Sequence, residues 1–281
     1  MPGIPRSQDN PVSKTREEYT RANRVAWNEA ASRHAAHNNA ELFEAFRDPE
    51  CVTLENDILD TLLDVGVEGK HIIHLCCNNG AETISLRNLG AARCVGVDAA
   101  DEFLEHGREM IRIAGVEDTV ELIQSDVYDL PGELEGRFDI VLTTIGVLSW
   151  MPDLEGFFRV AQALLKPGGK WVMQEMHPVL FMYEPDPRGG ASTIEYSYFT
   201  KEVWEETTGL DYYSGEEYES APNYSFMHRL DEILMAGIHS GFRLRYFKEL
   251  DYDISFFCSD LEESPAKPPL GFVMVLENEA G

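Results

Sequence analysis

Two acidic residues end two short apolar segments, and the position of the first is typical of a nucleotide-binding site. Asp98 ends residues 93–98 (RCVGVD), 18 positions after Gly80, and Asp126 ends residues 120–126 (VELIQSD). In parallel α/β folds, an acidic residue about 20 positions after the glycine turn accepts hydrogen bonds from ribose hydroxyls. Asp98 could instead only cap the helix predicted to follow it, but its spacing favours ribose binding.

The glycine belongs to residues 71–80 (HIIHLCCNNG), an apolar segment followed by turn-prone residues. A helix-compatible segment follows at 81–89. The pattern therefore predicts strand, tight turn and helix, the first unit of a nucleotide-type βαβ fold. The turn contains one glycine where dinucleotide-binding folds usually contain three, so it is weak evidence when taken alone.

Two histidines are candidates for proton transfer. His177 directly follows the strand-like residues 170–176, and His228 lies near the predicted start of the last helix. Both are expected near the carboxyl ends of the strands, where ligands of such folds bind and where histidine can act as a general base. His177 also precedes Pro178, so a purely structural strand-ending turn remains open. Glu175 could orient a cationic substrate at the same place.

Strand-like and helix-compatible segments alternate along most of the chain. The predicted strands are 71–76, 93–98, 120–126, 138–144, 170–176, 242–253 and 271–277, and the predicted helices are 17–37, 52–64, 81–89, 103–114, 154–165 and 226–240. This alternation predicts a parallel sheet with helices on both faces. Residues 178–223 differ, since they are rich in Tyr and Pro and alternate like strands at 193–200. We interpret them as an inserted, largely β cap.

Four segments follow from this pattern: an N-terminal arm and lid helix (1–50), a nucleotide-binding core (51–177), an inserted cap (178–225), and the last helix and strands of the core (226–281). Two interpretations of the first helix remain open. It packs on the core through Trp27, or it closes over a ligand.

Aromatic residues are concentrated in and near the cap. They are Trp150, Tyr183, Tyr198, Trp204, Tyr212, Tyr213 and Tyr224. They form either the core of the insert itself or a wall around a planar or cationic small molecule. Trp150 follows the fourth predicted strand closely, so it is the aromatic residue most expected near a substrate.

The chain is strongly acidic. Fifty acidic residues against 23 basic ones give 281 residues a formal net charge of −27. Such a surface repels phosphate backbones and anionic membranes, which disfavours nucleic-acid partners. A high-salt cytoplasm or a GC-rich genome would each explain the scarcity of Lys. No apolar run has the length of a membrane span, and residues 1–19 lack the apolar core of a signal peptide, so we expect a cytoplasmic protein.

Five cysteines show no metal-ligand spacing, and no metal site is predicted. Cys76 and Cys77 are adjacent, which does not favour a shared metal or a redox pair. We interpret them as small residues buried in a turn.

Five segments, in this order, resemble the class I S-adenosylmethionine-dependent methyltransferases, and more narrowly the small-molecule "type 11" methyltransferase domains. They are 74–80 (HLCCNNG), 95–98 (VGVD), 125–128 (SDVY), 138–144 (FDIVLTT) and 165–172 (LKPGGKWV). No single segment is specific to this family, but the order and spacing of the five segments together are. The resemblance covers about residues 50–177. It implies a three-layer, Rossmann-like α/β fold with a seven-stranded sheet whose closing strand is antiparallel.

The resemblance also implies S-adenosylmethionine as cofactor and S-adenosylhomocysteine as product. The implied contacts are His74, Cys76, Asn78 and Gly80 at the methionine end, Asp98 with Ala99 at the ribose, Asp126 with Val127 at the adenine, and Thr143 with Thr144 at the sulfonium and the acceptor. The implied reaction is an in-line methyl transfer to a small-molecule acceptor. Positioning supplies most of the acceleration, and a base is needed only if the acceptor must lose a proton.

The first loop departs from the family pattern, which usually reads acid-x-Gly-x-Gly-x-Gly. His74, Cys76 and Asn78 replace the acid and two of the glycines. A neutral His cannot offer the carboxylate that usually organises the methionine end. Cys76 is small enough for close approach, and Asn78 tolerates left-handed backbone. We therefore interpret the loop as a functional variant.

We predict that Trp27, Trp150, Glu175 and Tyr183 contact the acceptor, and that His177 or His228 is the base. Two alternatives remain. A nicotinamide-dependent oxidoreductase is disfavoured because the three-glycine fingerprint is missing and residues 166–169 (KPGG) fit the methyltransferase series. A non-catalytic S-adenosylmethionine-binding protein is suggested by the unusual first loop. The pattern fits a monomer or a homodimer, and it does not distinguish O-, N-, S- or C-methylation.

Overall fold

A computed structural model describes residues 14–186, 189–213 and 217–279. The helices are α1 (Arg16–Ala45), α2 (Asn56–Val65), α3 (Ala81–Asn88), α4 (Asp101–Ala114), α5 (Leu154–Leu164) and α6 (Leu230–His239). The long strands are β1 (His71–Leu75), β2 (Arg93–Asp98), β3 (Val120–Gln124), β4 (Phe138–Thr143), β5 (Leu165–Met176), β10 (Phe242–Leu250) and β11 (Gly271–Asn278). Four short strands form the rest, β6 (Tyr183–Glu184), β7 (Thr193–Ile194), β8 (Val203–Glu206) and β9 (Asn223–Phe226).

One seven-stranded sheet runs through the molecule in the order β10-β11-β5-β4-β1-β2-β3. Strands β1 to β5 are mutually parallel, and β11 pairs antiparallel with both β5 and β10. The chain order reverses between β1 and β4, and such a switch point opens a crevice at the carboxyl ends of the strands. The predicted three-layer fold with an antiparallel closing strand is therefore confirmed.

Each face of the sheet is covered by its own apolar layer. On one face, α5 and α6 pack around the fully buried Trp171, Phe157 and Phe158. On the other face, α2, α3 and α4 contribute Ile58, Ile84 and Met110 to a second buried cluster. The central strands β1, β2 and β4 are covered on both faces and are mostly apolar, as is typical of parallel sheets. Polar groups can reach a ligand only at the strand ends.

Several boundaries differ from the sequence prediction. Helix α1 extends to Ala45, eight residues past the predicted end. Helix α6 begins at Leu230 because Phe226 pairs with Val203 in the strand pair β8–β9. Strand β5 begins at Leu165, and the predicted Pro-Gly-Gly turn is an irregularity inside it. Leu165 pairs with Phe138 and Lys170 pairs with Ile140, and Gly168 between them has φ 74°. The ladder of hydrogen bonds to neighbouring strands determined these boundaries, and local propensity does not report it.

The inserted cap contains two two-stranded antiparallel sheets, β6–β7 and β8–β9, connected mostly by turns. The alternation at 193–200 gives only two strand residues, because a turn closes between Ser197 and Thr200. The N-terminal arm predicted at residues 1–18 lies mostly outside the described residues, which begin at Lys14. Helix α1 then starts at Arg16 behind a capping box formed by Thr15 and Glu18.

No helix among the described residues combines the length and apolarity needed to cross a bilayer. The same residues hold no group of three His, Cys, Asp or Glu side chains placed to bind a metal ion. All five cysteines are free thiols.

Candidate active site

The loop between β1 and α3 adopts an unusual backbone conformation. Cys76 has φ 56° and Asn78 has φ 52°, both in the left-handed region, and Gly80 follows with φ 74°. Left-handed backbone is costly for most side chains and normally requires glycine. The two residues that replace family glycines thus hold the backbone shape that glycine would give.

This loop lies close against its neighbours. A Cβ atom at Gly107 of α4 would lie 2.4 Å from the carbonyl oxygen of Asn79, and one at Gly96 of β2 would lie 2.8 Å from the sulfur of Cys77. Both distances are shorter than side chains tolerate. Glycines on the neighbouring elements therefore let the loop approach β2 and α4.

Asp98 lies at the carboxyl end of β2, beside this loop. One carboxylate oxygen accepts the N–H of Asn78 at 2.7 Å, and the other accepts that of Ala100 at 2.9 Å. Burial raises the pKa of the carboxyl to about 6, while these backbone donors oppose the shift. The carboxylate is held in one orientation, and its remaining lone pairs can accept a pair of ligand hydroxyls.

The predicted adenine contacts lie at the end of the next strand, β3. Asp126 caps a short 3₁₀ turn by accepting the N–H of Tyr128 at 3.0 Å, and Val127 is buried beside it. The carbonyl of Ala99 accepts an N–H of Gln124 at 3.2 Å, which ties the ends of β2 and β3 together. An apolar surface with adjacent polar groups is thus placed next to Asp98.

The threonines at the end of β4 point to different places. Thr143 is fully buried, and its hydroxyl accepts the indole N–H of Trp171 at 3.0 Å. It can therefore line the crevice only through its backbone. The Thr144 hydroxyl lies on the other side, 2.8 Å from a carboxylate oxygen of Glu82 and 3.4 Å from Nε2 of His74. His74 is fully buried beneath them, and its Nδ1 lies 3.1 Å from the hydroxyl of Thr83.

Glu82 is a residue of the crevice that the sequence analysis did not identify. It lies in the first turn of α3, where an acidic residue ordinarily only favours the positive end of the helix dipole. Nothing in the sequence distinguishes that role from one facing a ligand. Its contact with Thr144 places its carboxylate at the end of β4, beside the loop that follows β1.

Glu175 holds the loop that follows β4. Its buried carboxylate accepts backbone N–H groups from Gly146 at 2.9 Å, Leu148 at 2.7 Å and Met176 at 3.2 Å. Burial raises its pKa to about 7. These bonds position residues 146–150, so the structure gives Glu175 a role in shaping the site, and a direct contact with a substrate stays a prediction.

The two histidines are held by different partners. A ring nitrogen of His228 lies 2.8 Å from the carbonyl of Met151 and helps to fix the same loop. His177 accepts the N–H of Val179 at 3.2 Å through Nδ1, and its Nε2 lies 3.4 Å from Glu249 of β10. Burial lowers the pKa of both rings, which favours the uncharged imidazole over the imidazolium. His177 thus leans toward β10, away from the switch point, whereas His228 borders the loop after β4.

Aromatic rings from four parts of the chain meet above the carboxyl ends of the strands. Trp27 of α1 contacts Trp150 at 5.3 Å and Phe103 of α4 at 6.0 Å between ring centroids. His34 of α1 contacts Phe103 at 5.2 Å and Tyr212 of the cap at 4.6 Å. Helix α1 therefore joins the core to the cap. The structure brings Trp27 and Trp150 into contact with each other, and a contact of either residue with an acceptor stays a prediction.

The other cap aromatics divide between two places. Trp204 packs against Phe181 and Tyr196 inside the insert. Tyr183 packs in a small cluster with Leu180 and Cys258. Part of the aromatic content is thus the core of the insert, and the part nearest α1 faces the crevice.

Residues 72–169 match the family described as "Methyltransferase domain". This segment carries the loop, Asp98, Asp126 and the end of β4. These residues form a methyltransferase domain. The resemblance to the class I S-adenosylmethionine-dependent methyltransferases is confirmed.

Two curated relatives, both named as methyltransferases, match part of this chain. A ubiquinone biosynthesis O-methyltransferase of Xanthomonas oryzae is 32% identical over 124 residues, 43% of this chain and 48% of the relative. A sterol 4-C-methyltransferase of Caenorhabditis elegans is 28% identical over 109 residues, 39% of this chain and 32% of the relative. The aligned part spans half or less of these relatives, so their activities and acceptors do not transfer as findings.

Solved structures share the fold. An S-adenosylmethionine-dependent methyltransferase from Mesorhizobium loti superposes with a TM-score of 0.56 at 20% identity, covering 75% of this chain and 92% of that one. At this identity the likeness concerns architecture alone. It agrees with the sheet order and the antiparallel closing strand.

The methyltransferase domain of this chain fits S-adenosylmethionine, the cofactor of its class. The left-handed loop presents backbone at the end of β1, and the oriented carboxylate of Asp98 suits a ribose diol. Val127 and Asp126 offer an apolar surface and a polar group in the next position along the sheet.

The backbone of the first loop yields a testable prediction. Cys76→Gly should preserve cofactor binding, whereas Cys76→Val should lower the free energy of unfolding by about 1–2 kcal/mol and weaken binding, because a β-branched side chain is strained at positive φ. Thermal denaturation and titration with S-adenosylmethionine measure both effects. Cys51→Val serves as control, since Cys51 is half-buried and lies outside the positive-φ residues. Equal effects of the two Val substitutions would contradict this account.

Proposed function

We propose that this protein transfers a methyl group from S-adenosylmethionine to a small-molecule acceptor. The observation that carries the proposal is the pairing of Asp98 with the left-handed loop, inside a segment that matches a methyltransferase domain. The adenine, ribose and methionine parts would lie along the ends of β3, β2 and β1. The acceptor would lie beneath Trp27 and Trp150.

The small size of the acceptor is inferred from two features. The net charge of −27 opposes the approach of a polyanion such as RNA. Helix α1 and the cap cover the carboxyl ends of the strands with aromatic rings, which suits a compact, partly apolar molecule. The name of one relative refers to a sterol, and the name of the other refers to ubiquinone biosynthesis. Sterols and ubiquinone are small molecules.

Bound S-adenosylmethionine supplies an electrophilic methyl group on a sulfonium. The residues of this chain would bind the cofactor, orient it toward the acceptor and exclude water from the site. Asp98 fixes the ribose, while Glu175 fixes the loop that carries Trp150. Helix α1 closes the site above them. Such positioning supplies most of the acceleration for an in-line displacement.

A general base is needed only where the acceptor must lose a proton. The neutral ring of His228 borders the loop after β4, and it is the better placed of the two histidines. Its 2.8 Å contact with the carbonyl of Met151 gives it a structural task as well. A base role for either histidine stays a prediction.

A screen of small acceptors tests the proposal. Phenols, amines, thiols and carbon acids are incubated with protein and S-adenosylmethionine, and release of S-adenosylhomocysteine is measured. Release that depends on acceptor is expected for at least one class. Tight cofactor binding without release in any class would instead favour a non-catalytic binding protein.

His177 yields a separate prediction. His177→Ala removes the acceptor for the N–H of Val179 at the start of a 3₁₀ turn, so the free energy of unfolding should fall by about 1 kcal/mol. Turnover should be retained, because the ring leans toward Glu249 of β10. Denaturant unfolding measures the loss of stability, and the acceptor assay measures turnover. A large loss of turnover in a stable variant would make His177 the base.

A further inference from the structure

Glu82 turns its carboxylate into the crevice between the ends of β1 and β4. Its Oε2 accepts the hydroxyl of Thr144 at 2.8 Å and lies 3.6 Å from Nε2 of His74. The side chain is 29% exposed, so it borders the crevice without projecting from the surface. Its position in the first turn of α3 connects it rigidly to the loop that ends at Gly80.

Among the described residues, this carboxylate has no cationic partner. Within the described ranges, its one basic neighbour inside 4.0 Å is His74. Burial lowers the pKa of His74 to about 3, so the ring is neutral, and burial raises the pKa of Glu82 to about 7. A partly buried carboxylate without a counter-charge is less stable than a solvated one, and a cationic ligand group would offset that cost.

The other carboxylates of the crevice are differently placed. Asp98 is held by two backbone N–H groups and Glu175 by three. Glu82 accepts one hydroxyl, and its Oε1 has no donor among the residues that the structure describes. It is therefore suited to bind a positively charged group that donates hydrogen bonds.

The order of the strand ends indicates which group this is. Asp126 lies at the end of β3, Asp98 at the end of β2, and the Glu82–Thr144 pair between the ends of β1 and β4. Adenine, ribose and amino-acid tail follow one another in the same order in S-adenosylmethionine. The tail carries an α-ammonium group with N–H donors, whereas the sulfonium has none.

We propose that Glu82 binds the α-ammonium group of S-adenosylmethionine. It thereby supplies, from α3, the negative charge that the neutral His74 does not supply at the end of β1. Thr144 orients the carboxylate by its hydrogen bond. This inference rests on the proposed function, because it assigns one contact within the same cofactor site.

A comparison of two ligands tests it. S-adenosylhomocysteine contains the amino-acid tail, and 5′-methylthioadenosine lacks it. Glu82→Gln keeps the shape of the side chain and removes its charge, so it should weaken S-adenosylhomocysteine binding by about ten- to a hundredfold, the range for a hydrogen bond to a charged group. Binding of 5′-methylthioadenosine, measured by calorimetry on the same sample, should stay within about twofold and reports a folded site. Glu102→Gln is the matched control, since Glu102 is an exposed acid in the first turn of α4.

Each outcome is decisive. Equal losses for the two ligands, or no loss for either, would overturn the assignment. Unchanged cofactor binding together with a raised KM for a cationic acceptor would also overturn it, and would assign the carboxylate to the acceptor. Failure of the unaltered protein to bind S-adenosylhomocysteine would refute the proposed function itself, a result distinct from these.

Discussion

Asp98→Ala is expected to weaken S-adenosylmethionine binding by about 1.5–3 kcal/mol, the range for hydrogen bonds to a charged group. The carboxylate lies at the end of β2 with both oxygens oriented by backbone N–H groups, those of Asn78 and Ala100. In this orientation it can accept both ribose hydroxyls, and no other carboxylate lies at this strand end among the described residues. Isothermal titration with the cofactor measures the loss.

Two further variants serve as a comparison and a control for that measurement. Asp98→Asn keeps one oxygen acceptor and should lose less affinity than Asp98→Ala. Asp118→Ala removes an exposed acid from the turn after α4 and should bind the cofactor normally. Unchanged affinity in a folded Asp98→Ala variant would refute the placement of the ribose at β2.

Glu175→Ala is expected to lower the free energy of unfolding by about 3 kcal/mol. The substitution leaves the N–H groups of Gly146, Leu148 and Met176 without their acceptor, at about 1–3 kcal/mol for each one that stays buried. Removal of Glu175 also removes the cost of burying an ionised carboxylate. The net loss of stability is therefore smaller than the summed cost of the three unpaired N–H groups. Denaturant unfolding at fixed pH measures the loss, and the exposed Glu133 provides the control variant Glu133→Ala.

The ionisation of Glu175 should also make the free energy of unfolding depend on pH. Its pKa is raised to about 7 in the folded protein, above that of an ordinary Glu, so its ionisation favours the unfolded chain. The part of the stability that depends on the ionisation of Glu175 is therefore fully present below about pH 4.5 and is lost as the pH rises through about 7. Stability of Glu175→Gln should decline less over this interval than that of the unaltered protein. An identical pH dependence would contradict a buried, raised-pKa carboxyl at this position.

The sequence pattern predicts the fold because the central strands are buried on both faces and are therefore apolar runs. Apolar runs that end in Asp98 and Asp126 mark strand ends without any knowledge of their neighbours. The left-handed tolerance of Asn78 was also predictable from residue type, and the structure confirms it. These features are local, and local features are what a sequence pattern reports.

Other features depend on contacts between distant segments. Glu82 belongs to the crevice because α3 turns it toward Thr144, 62 residues away, and no local pattern shows this. The hydroxyls of Thr143 and Thr144 separate because adjacent strand-end residues face opposite sides of the sheet. Helix α6 begins late because Phe226 finds a strand partner in Val203. Pairing across the sheet decides such details.

The most direct test of the central claim is a parallel calorimetric titration with S-adenosylmethionine and with NADH and NADPH. We expect one molecule of S-adenosylmethionine to bind per chain and both nicotinamide cofactors to bind far more weakly, with Asp98→Ala losing the first interaction. The left-handed loop and the carboxylate of Asp98 offer backbone and a ribose acceptor at the end of the sheet. A preference for NADH or NADPH over S-adenosylmethionine would contradict the proposed methyl transfer.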